Sequence, residues 1–266
     1  MDRCSPTWVV YTPRWDVNQY TVAPLNIAIL NSHYDLAEFL IEQGANPNTS
    51  NKDGRTPLYT AVDAHDVDWS PRPARPETDK LTSLDIIRSL LAHGANVNAQ
   101  LKDASPVMKF AQDGGDRTLA GGATPFMRAA RSADVDAMRL LVANYAEPTL
   151  ANKNGLTALM VAAGIGYADK IRGTEAQALE AVKLCVDLGL DVNGSTDKDE
   201  TALHGAALRG ADSIVKFLVE KGANIDARNK QGLTPLDIAM GKGGFGGPRP
   251  PHDTTVALII FTLISG

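Results

Sequence analysis

The sequence predicts an all-α solenoid of about six stacked helix–turn–helix repeats. Two short motifs recur in phase along it, and the composition suits thin, closely stacked helices. Hydrophobic residues make up 44% of the chain and aromatic residues 6%. The core is therefore built from Ala, Leu, Val and Ile, which favours stacked helices over a β-sandwich. The first motif, close to T-P-L-x-x-A, reads APLNIA, TPLYTA, TPFMRA, TALMVA, TALHGA and TPLDIA, with second residues Pro24, Pro57, Pro125, Ala158, Ala202 and Pro235. The steps between these positions are 33, 68, 33, 44 and 33 residues. The second motif, close to G-A-x-x-N, follows each of the first five copies as GANPN, GANVN, YAEPT, GLDVN and GANID. Three steps of 33 with both motifs in register identify an internal repeat.

Taken in order, residues 1 to 19 form an N-terminal segment, and the solenoid occupies residues 20 to 264. The repeats lie near residues 20–52, 53–100, 101–153, 154–197, 198–230 and 231–264. Each motif Thr is a helix N-cap, and the Pro after it loses only a donor that has no partner in the first turn. Small residues such as Ala206 and Ala207 let the helices approach closely. An apolar pair such as Leu90 and Leu91, or Phe217 and Leu218, closes the second helix. A glycine such as Gly222 then supplies the positive φ of a helix stop. Asp53–Gly54 and Gln231–Gly232 mark the turn that leads into the next repeat.

The two long steps have definite locations. From Pro57 to Gly94 is 37 residues, against 20 from Pro24 to Gly44, which puts 17 extra residues between the helices of the second repeat, at 66 to 82. From Gly94 to Pro125 is 31, against 13 from Gly44 to Pro57, so 18 extra residues enlarge the connection before the third repeat. The fourth repeat carries 11 extra residues between its helices, and GKGGFGGPRPPHD separates those of the sixth. The third repeat has Tyr145 where glycine recurs, and the fourth has Leu190 where alanine recurs, so these junctions are expected to be the least regular.

This pattern resembles the ankyrin repeat, a hairpin finger followed by two antiparallel helices. The resemblance implies β-hairpin fingers, structural hydrogen bonds between repeats from His204, and a concave face on which family members hold protein partners. It implies a protein-interaction scaffold, whose candidate binding residues are Tyr59, Met127 and Arg128 as exposed first-helix positions, and Lys102, Lys109, Phe110, Asp113 and Asp116 in the enlarged finger. Trp69 joins them from the inter-helix insertion.

One stretch supports a chemical alternative. DAHDVDW places Asp63, His65, Asp66, Asp68 and Trp69 where the first helix of the second repeat enters its long loop. Paired carboxylates beside an aromatic platform suit a hydrolase of the glycosidase type, with a small sugar-like ligand. The other reading is a solvated acidic loop. The sequence contains no nucleophile elbow, P-loop, H-E-x-x-H or C-x-x-C motif, and it points to neither cofactor nor metal. Cys185 reads as a small buried hydrophobe, while His33 and His93 read as helix-end residues.

A net charge of −5 gives no expectation of nucleic acid as partner. Residues 1 to 15 lack the apolar run of a signal peptide, and VALIIFTLI at 256 to 264 is too short to span a bilayer, so the expectation is a cytoplasmic chain without membrane contact. Both ends are apolar where a solenoid needs polar caps. The expectations that follow are that the ends, residues 1 to 19 among them, fold back as improvised caps, or that the chain is a piece of a longer repeat protein, with self-association through the apolar ends as a further expectation.

Overall fold

The computed structural model of the protein describes residues 23–65, 76–102, 119, 121–166, 173–243 and 249–265. Among these, twelve helices form six antiparallel pairs: α1 (Pro24–Leu30) with α2 (Tyr34–Glu42), α3 (Pro57–His65) with α4 (Ser83–Ala92), α5 (Pro125–Ser132) with α6 (Val135–Ala143), α7 (Ala158–Ala163) with α8 (Glu175–Asp187), α9 (Ala202–Arg209) with α10 (Asp212–Glu220), and α11 (Pro235–Ala239) with α12 (Asp253–Ser265). First helices stack on first helices in the order α1, α3, α5, α7, α9, α11, and second helices stack likewise from α2 to α12. This is the six-repeat solenoid expected from the motifs.

The repeated residues do what their chemistry demands. Thr56, Thr124, Thr157 and Thr234 accept the backbone N–H three residues on. Ala23 offers no side-chain cap to α1. The second helices of repeats 2 and 4 start on capping boxes, Thr82 with Asp85 and Thr174 with Gln177. The hydrogen bonds from Thr82 hold the Asp85 carboxyl below its ordinary value of 3.8. One continuous core runs through the stack, with Leu25, Leu58, Phe126, Leu159 and Leu203 at the same position of successive first helices. Cys185 is wholly buried in it, and burial pushes its thiol well above its ordinary range.

The fingers are short hairpin reversals, each closed by a backbone bond such as Asn51 N to Arg55 O, Asn152 N to Leu156 O, Thr196 N to Glu200 O and Asn229 N to Leu233 O. Among the described residues they are stacked turns, and the only β-pairing is an isolated bridge between Ser195 and Thr201. The reason is a polar side chain at the head of each turn. Asn51 Oδ1 accepts the amides of Asp53 and Arg55. Asn152 Oδ1 takes those of Asn154 and Leu156, Asn229 Oδ1 those of Gln231 and Leu233, and Thr196 Oγ1 those of Lys198 and Glu200. Side chains that satisfy the amides locally compete with a strand ladder. The turns are tied to one another instead, through Lys102 N to Asp53 O, Lys153 N to Gly121 O, Asp197 N to Asn154 O and Lys230 N to Lys198 O, at 2.8 to 3.0 Å.

A second tie runs behind the fingers. Asn48 donates to Gly94 O and accepts from Asn96 N. Asn98 does the same with Tyr145 O and Glu147 N, and Asn193 with Gly222 O and Asn224 N. Thr149 occupies this position in the third repeat and is too short to reach across, so the 3–4 junction lacks the tie. In the same repeat Tyr145 holds the helix-stop conformation at φ 68° with its side chain 89% exposed. The irregularity expected at this junction is therefore present, whereas the junction after Leu190, expected to share it, keeps the tie through Asn193.

At the opposite edge, the inserted loops of even repeats fold onto odd ones. Asp35 Oδ1 accepts from Lys80 N and Leu81 N. Arg131 donates to Gly166 O at 2.7 Å, and the His252 ring lies against Gly210 with Nε2 on Leu208 O. Repeat 4 also reaches forward, where Glu175 accepts from Ser213 and Gly173 O accepts from Arg209.

Candidate functional site

The stretch that suggested hydrolase chemistry divides at the end of α3. Asp66, Asp68 and Trp69 lie outside the described residues. Asp63 and His65 are on α3, one turn and less from its end. The Asp63 carboxylate is buried, with Arg128 Nε of α5 on Oδ1 and Arg55 Nη1 at 3.4 Å from Oδ2. Arg128 also donates to Ser132 Oγ at 2.8 Å. His65 Nδ1 sits 2.6 Å from Asp134 Oδ2, while Asp134 Oδ1 caps α6 through Ala137 N. Both residues are thus committed to the junction between repeats 2 and 3. Loss of either partner of an ion pair buried this deeply leaves an uncompensated charge, so the two helices depend on each other here.

The exposure expected of three first-helix residues is not observed. Tyr59, Met127 and Arg128 are all buried. Tyr59 lies under the Arg55 guanidinium, 5.5 Å from its ring centroid, and Arg128 is the partner of Asp63. The motif register places these side chains on inter-repeat positions, and a stacked neighbour covers such positions. The motif pattern within one repeat leaves the first helix free on one face. In register, Asp63 falls on Arg131 and Arg128 falls on Thr60, so only the stacking of repeat 3 on repeat 2 brings Asp63 to Arg128.

His204 fulfils its structural role. Nδ1 accepts from Thr201 N, and Nε2 donates to Leu233 O in the following finger at 3.1 Å. Burial holds the ring below its ordinary value of 6.5, and the two bonds together call for the tautomer with its proton on Nε2. His33 and His93 flank α2 and α4 as expected.

The finger edge presents a different environment. Lys102 is exposed at the point where the enlarged finger departs, and Lys109, Phe110, Asp113 and Asp116 lie outside the described residues. A cleft of about 500 Å³ opens here between Gln100, Leu101 and Lys102 on one side and Ala151, Asn152 and Lys153 on the other, with Gly122 at its base. Gly121 and Gly122 permit the close approach. A Cβ on Gly121 would stand 2.7 Å from Lys102 O, and one on Gly122 would stand 2.9 Å from Lys153 N. Lys153 Nζ bridges to Lys102 O at 2.6 Å, and Gln100 Nε2 donates to Gly122 O. Two ammonium groups on a rigid turn ladder suit an acidic or hydrogen-bonding segment of a partner. No cluster of metal-ligating side chains occurs among the described residues, and no described helix is long and apolar enough to cross a membrane.

Comparison with known proteins agrees with this architecture. Family models described as ankyrin repeats in many copies match residues 24–68 and 186–239, and a single ankyrin-repeat model matches residues 53–102. The chain is 26% identical over 227 residues to alpha-latrocrustotoxin-Lt1a of Latrodectus tredecimguttatus, covering 84% of this chain and 14% of that protein. It is 33% identical over 177 residues to a transient receptor potential cation channel subfamily A member 1 homolog of Caenorhabditis elegans, covering 64% and 12% respectively. It is 25% identical over 227 residues to the nuclear factor NF-kappa-B p105 subunit of Gallus gallus, covering 82% and 19%. The chain spans less than a fifth of the length of each of these relatives.

Proposed function

The chain belongs to the ankyrin-repeat family, and from that premise we propose that it is a binding module that holds a protein partner along its finger edge. Ankyrin repeats serve generally as protein-interaction modules, and this chain offers such a module one enlarged finger. The observation that carries the proposal is the site from which that finger grows. Residues 103 to 120 are inserted between Lys102 and the Gly121–Gly122 pair, beside the cleft that Lys102 and Lys153 line. Backbone bonds flank that base, from Lys102 N to Asp53 O, Gly122 N to Leu101 O and Lys153 N to Gly121 O. Long connections between the elements of a scaffold are where binding residues concentrate. Specificity resides in the insertion and in the lysine-lined cleft, because the middle first helices, α3, α5 and α7, bury their side chains within the described structure.

Photo-reactive residues placed at Lys102 and at Lys153, followed by mass spectrometry of the cross-linked products from a native lysate, test this. Both positions should capture the same protein, and replacement of residues 103 to 118 by a short Gly-Ser linker should abolish the capture. Undiminished capture by the shortened finger, or capture of unrelated proteins at the two positions, would overturn it.

A further inference from the structure

The dipeptide Asn–Gly occurs twice in the sequence, at Asn154–Gly155 and at Asn193–Gly194. Each copy closes a tight turn in the same way. Asn154 N donates to Asn152 Oδ1 and Gly155 N to Asn152 O, at 2.9 and 3.0 Å. Asn193 N donates to Asp191 Oδ1 and Gly194 N to Asp191 O, at 2.8 and 3.3 Å. Both asparagines are exposed, so water reaches both. The glycine after each lacks the Cβ that would shield its nitrogen, and it leaves the local backbone free to turn.

The side chains of the two copies differ. The Asn193 amide is held at both ends, with Nδ2 donating to Gly222 O at 2.9 Å and Oδ1 accepting from Asn224 N at 2.7 Å. The Asn154 side-chain amide makes no hydrogen bond among the described residues, so its Cγ is free to swing toward the Gly155 nitrogen. Asn154 contributes only its main-chain oxygen to the next finger, where it accepts from Asp197 N at 2.8 Å.

We propose that Asn154 is a site of spontaneous deamidation, and that Asn193 is protected from it by its tie to the next repeat. The Gly155 nitrogen gives up its proton to water and attacks Cγ of Asn154. A C–N bond forms, the Cγ–Nδ2 bond breaks, and ammonia leaves with the returned proton, which closes a cyclic imide. Water then adds to either imide carbonyl and reopens the ring. Addition at Cγ gives aspartate. Addition at the main-chain carbonyl gives isoaspartate, in which the chain runs on through Cγ. The glycine amide must be released at either site, so that cost is common to both. Only Asn193 must also let go of two side-chain partners. Either product places a carboxylate next to Lys153 in the chain, at the edge of the finger cleft. The isoaspartyl product also lengthens the turn by a methylene between Asn152 O and Gly155 N.

Peptide mapping of the full chain during incubation at mildly alkaline pH tests this. Cleavage after lysine releases Asn154 and Asn193 in separate peptides, 154–170 and 184–198. A digest taken before incubation sets the background from handling. In the folded chain the Asn154 peptide should convert at least about tenfold faster, because two side-chain hydrogen bonds must break before Asn193 reacts. In concentrated urea the two rates should converge to within about threefold, since unfolding removes the ties. The Asn154→Asp variant supplies the aspartyl product as a standard, and product of the same mass that elutes apart from it is isoaspartate. Equal rates in the folded chain overturn the proposal. So does a preference that persists unchanged in urea, which places its cause in the flanking sequence. Conversion to aspartate alone overturns the imide route.

Discussion

The junction between repeats 2 and 3 and the junction between repeats 4 and 5 bring the same two backbone positions together with opposite chemistry. In the first, Asp63 of α3 meets Arg128 of α5, both buried, with Arg55 and Ser132 completing the network. In the second, the equivalent residues are Gly164, just past α7, and Gly205 of α9. There the backbones themselves touch: a Cβ on Gly205 would stand 2.5 Å from Ile165 N, and one on Gly164 would stand 2.5 Å from Gly205 O. One junction is spaced by a charged pair and the other is closed by the absence of side chains. A solenoid thus tolerates very different contents at one repeated position, provided that both partners at a junction agree.

That mutual dependence can be broken from either side. Arg128→Met removes the principal partner of a buried carboxylate, and should lower the unfolding free energy in urea by about 3–5 kcal/mol. Adding Asp63→Leu to the same chain should restore most of the loss, since a paired apolar replacement leaves no uncompensated charge. If the double variant is as unstable as the single, the junction is not governed by charge compensation. Gly205→Ala, at the glycine junction, should cost about 1–3 kcal/mol, because its methyl meets backbone and cannot be accommodated by a side-chain rotation. Ser132→Ala, which trims the charged junction without opening it, should cost far less than either.

A subtler asymmetry concerns the 5–6 junction, which His204 ties to Leu233. The folded ring titrates below its ordinary value of 6.5 because it is buried. The unfolded chain therefore binds more protons on acidification, and stability should fall as the pH drops from about 6.5 toward the folded value. Protonation would also turn Nδ1, an acceptor from Thr201 N, into a donor facing that amide. Thermal melts of wild type and His204→Gln at pH 7.5 and pH 5.5 read the effect. The melting-temperature difference between the two proteins should change with pH, and equal pH responses would exclude this histidine as the sensor.

The smallest expected effects sharpen the contrast between the 3–4 junction and the others. Tyr145→Gly relieves a left-handed side-chain residue at φ 68°, with a net gain of about 0.5–1 kcal/mol after the extra freedom of glycine in the unfolded chain. Thr149→Asn supplies the missing tie and should add about 0.5–1.5 kcal/mol. Equilibrium denaturation of both variants measures these gains, and losses in either would show that the junction is adapted to its irregular residues.

Much of the fold was legible because the repeat is encoded locally. Thr caps and the glycines that stop the second helices of repeats 1, 2, 4 and 5 act within one helix pair, and each is found where the motifs place it. The finger conformation was not legible in the same way. Its turn heads, Asn51, Asn152 and Asn229, are ordinary turn residues in sequence, and their double acceptance of amides is a matter of local geometry. The candidate site was legible only as composition. Asp63 and His65 stand in a run that reads as acidic and catalytic, yet their partners Arg128 and Asp134 lie 65 and 69 residues away.

By itself, then, the sequence determined the unit, its phase, its number and the location of its insertions, because helix caps and helix stops are set by residues a few positions apart. Which polar residues are solvated was decided by the tertiary structure alone. Asp63 is buried and Leu36 exposed, the reverse of what their chemistry suggests, because a residue on an inter-repeat face takes its burial from whether a neighbour is stacked there. The pattern within one repeat is silent about that neighbour. The stack supplies it.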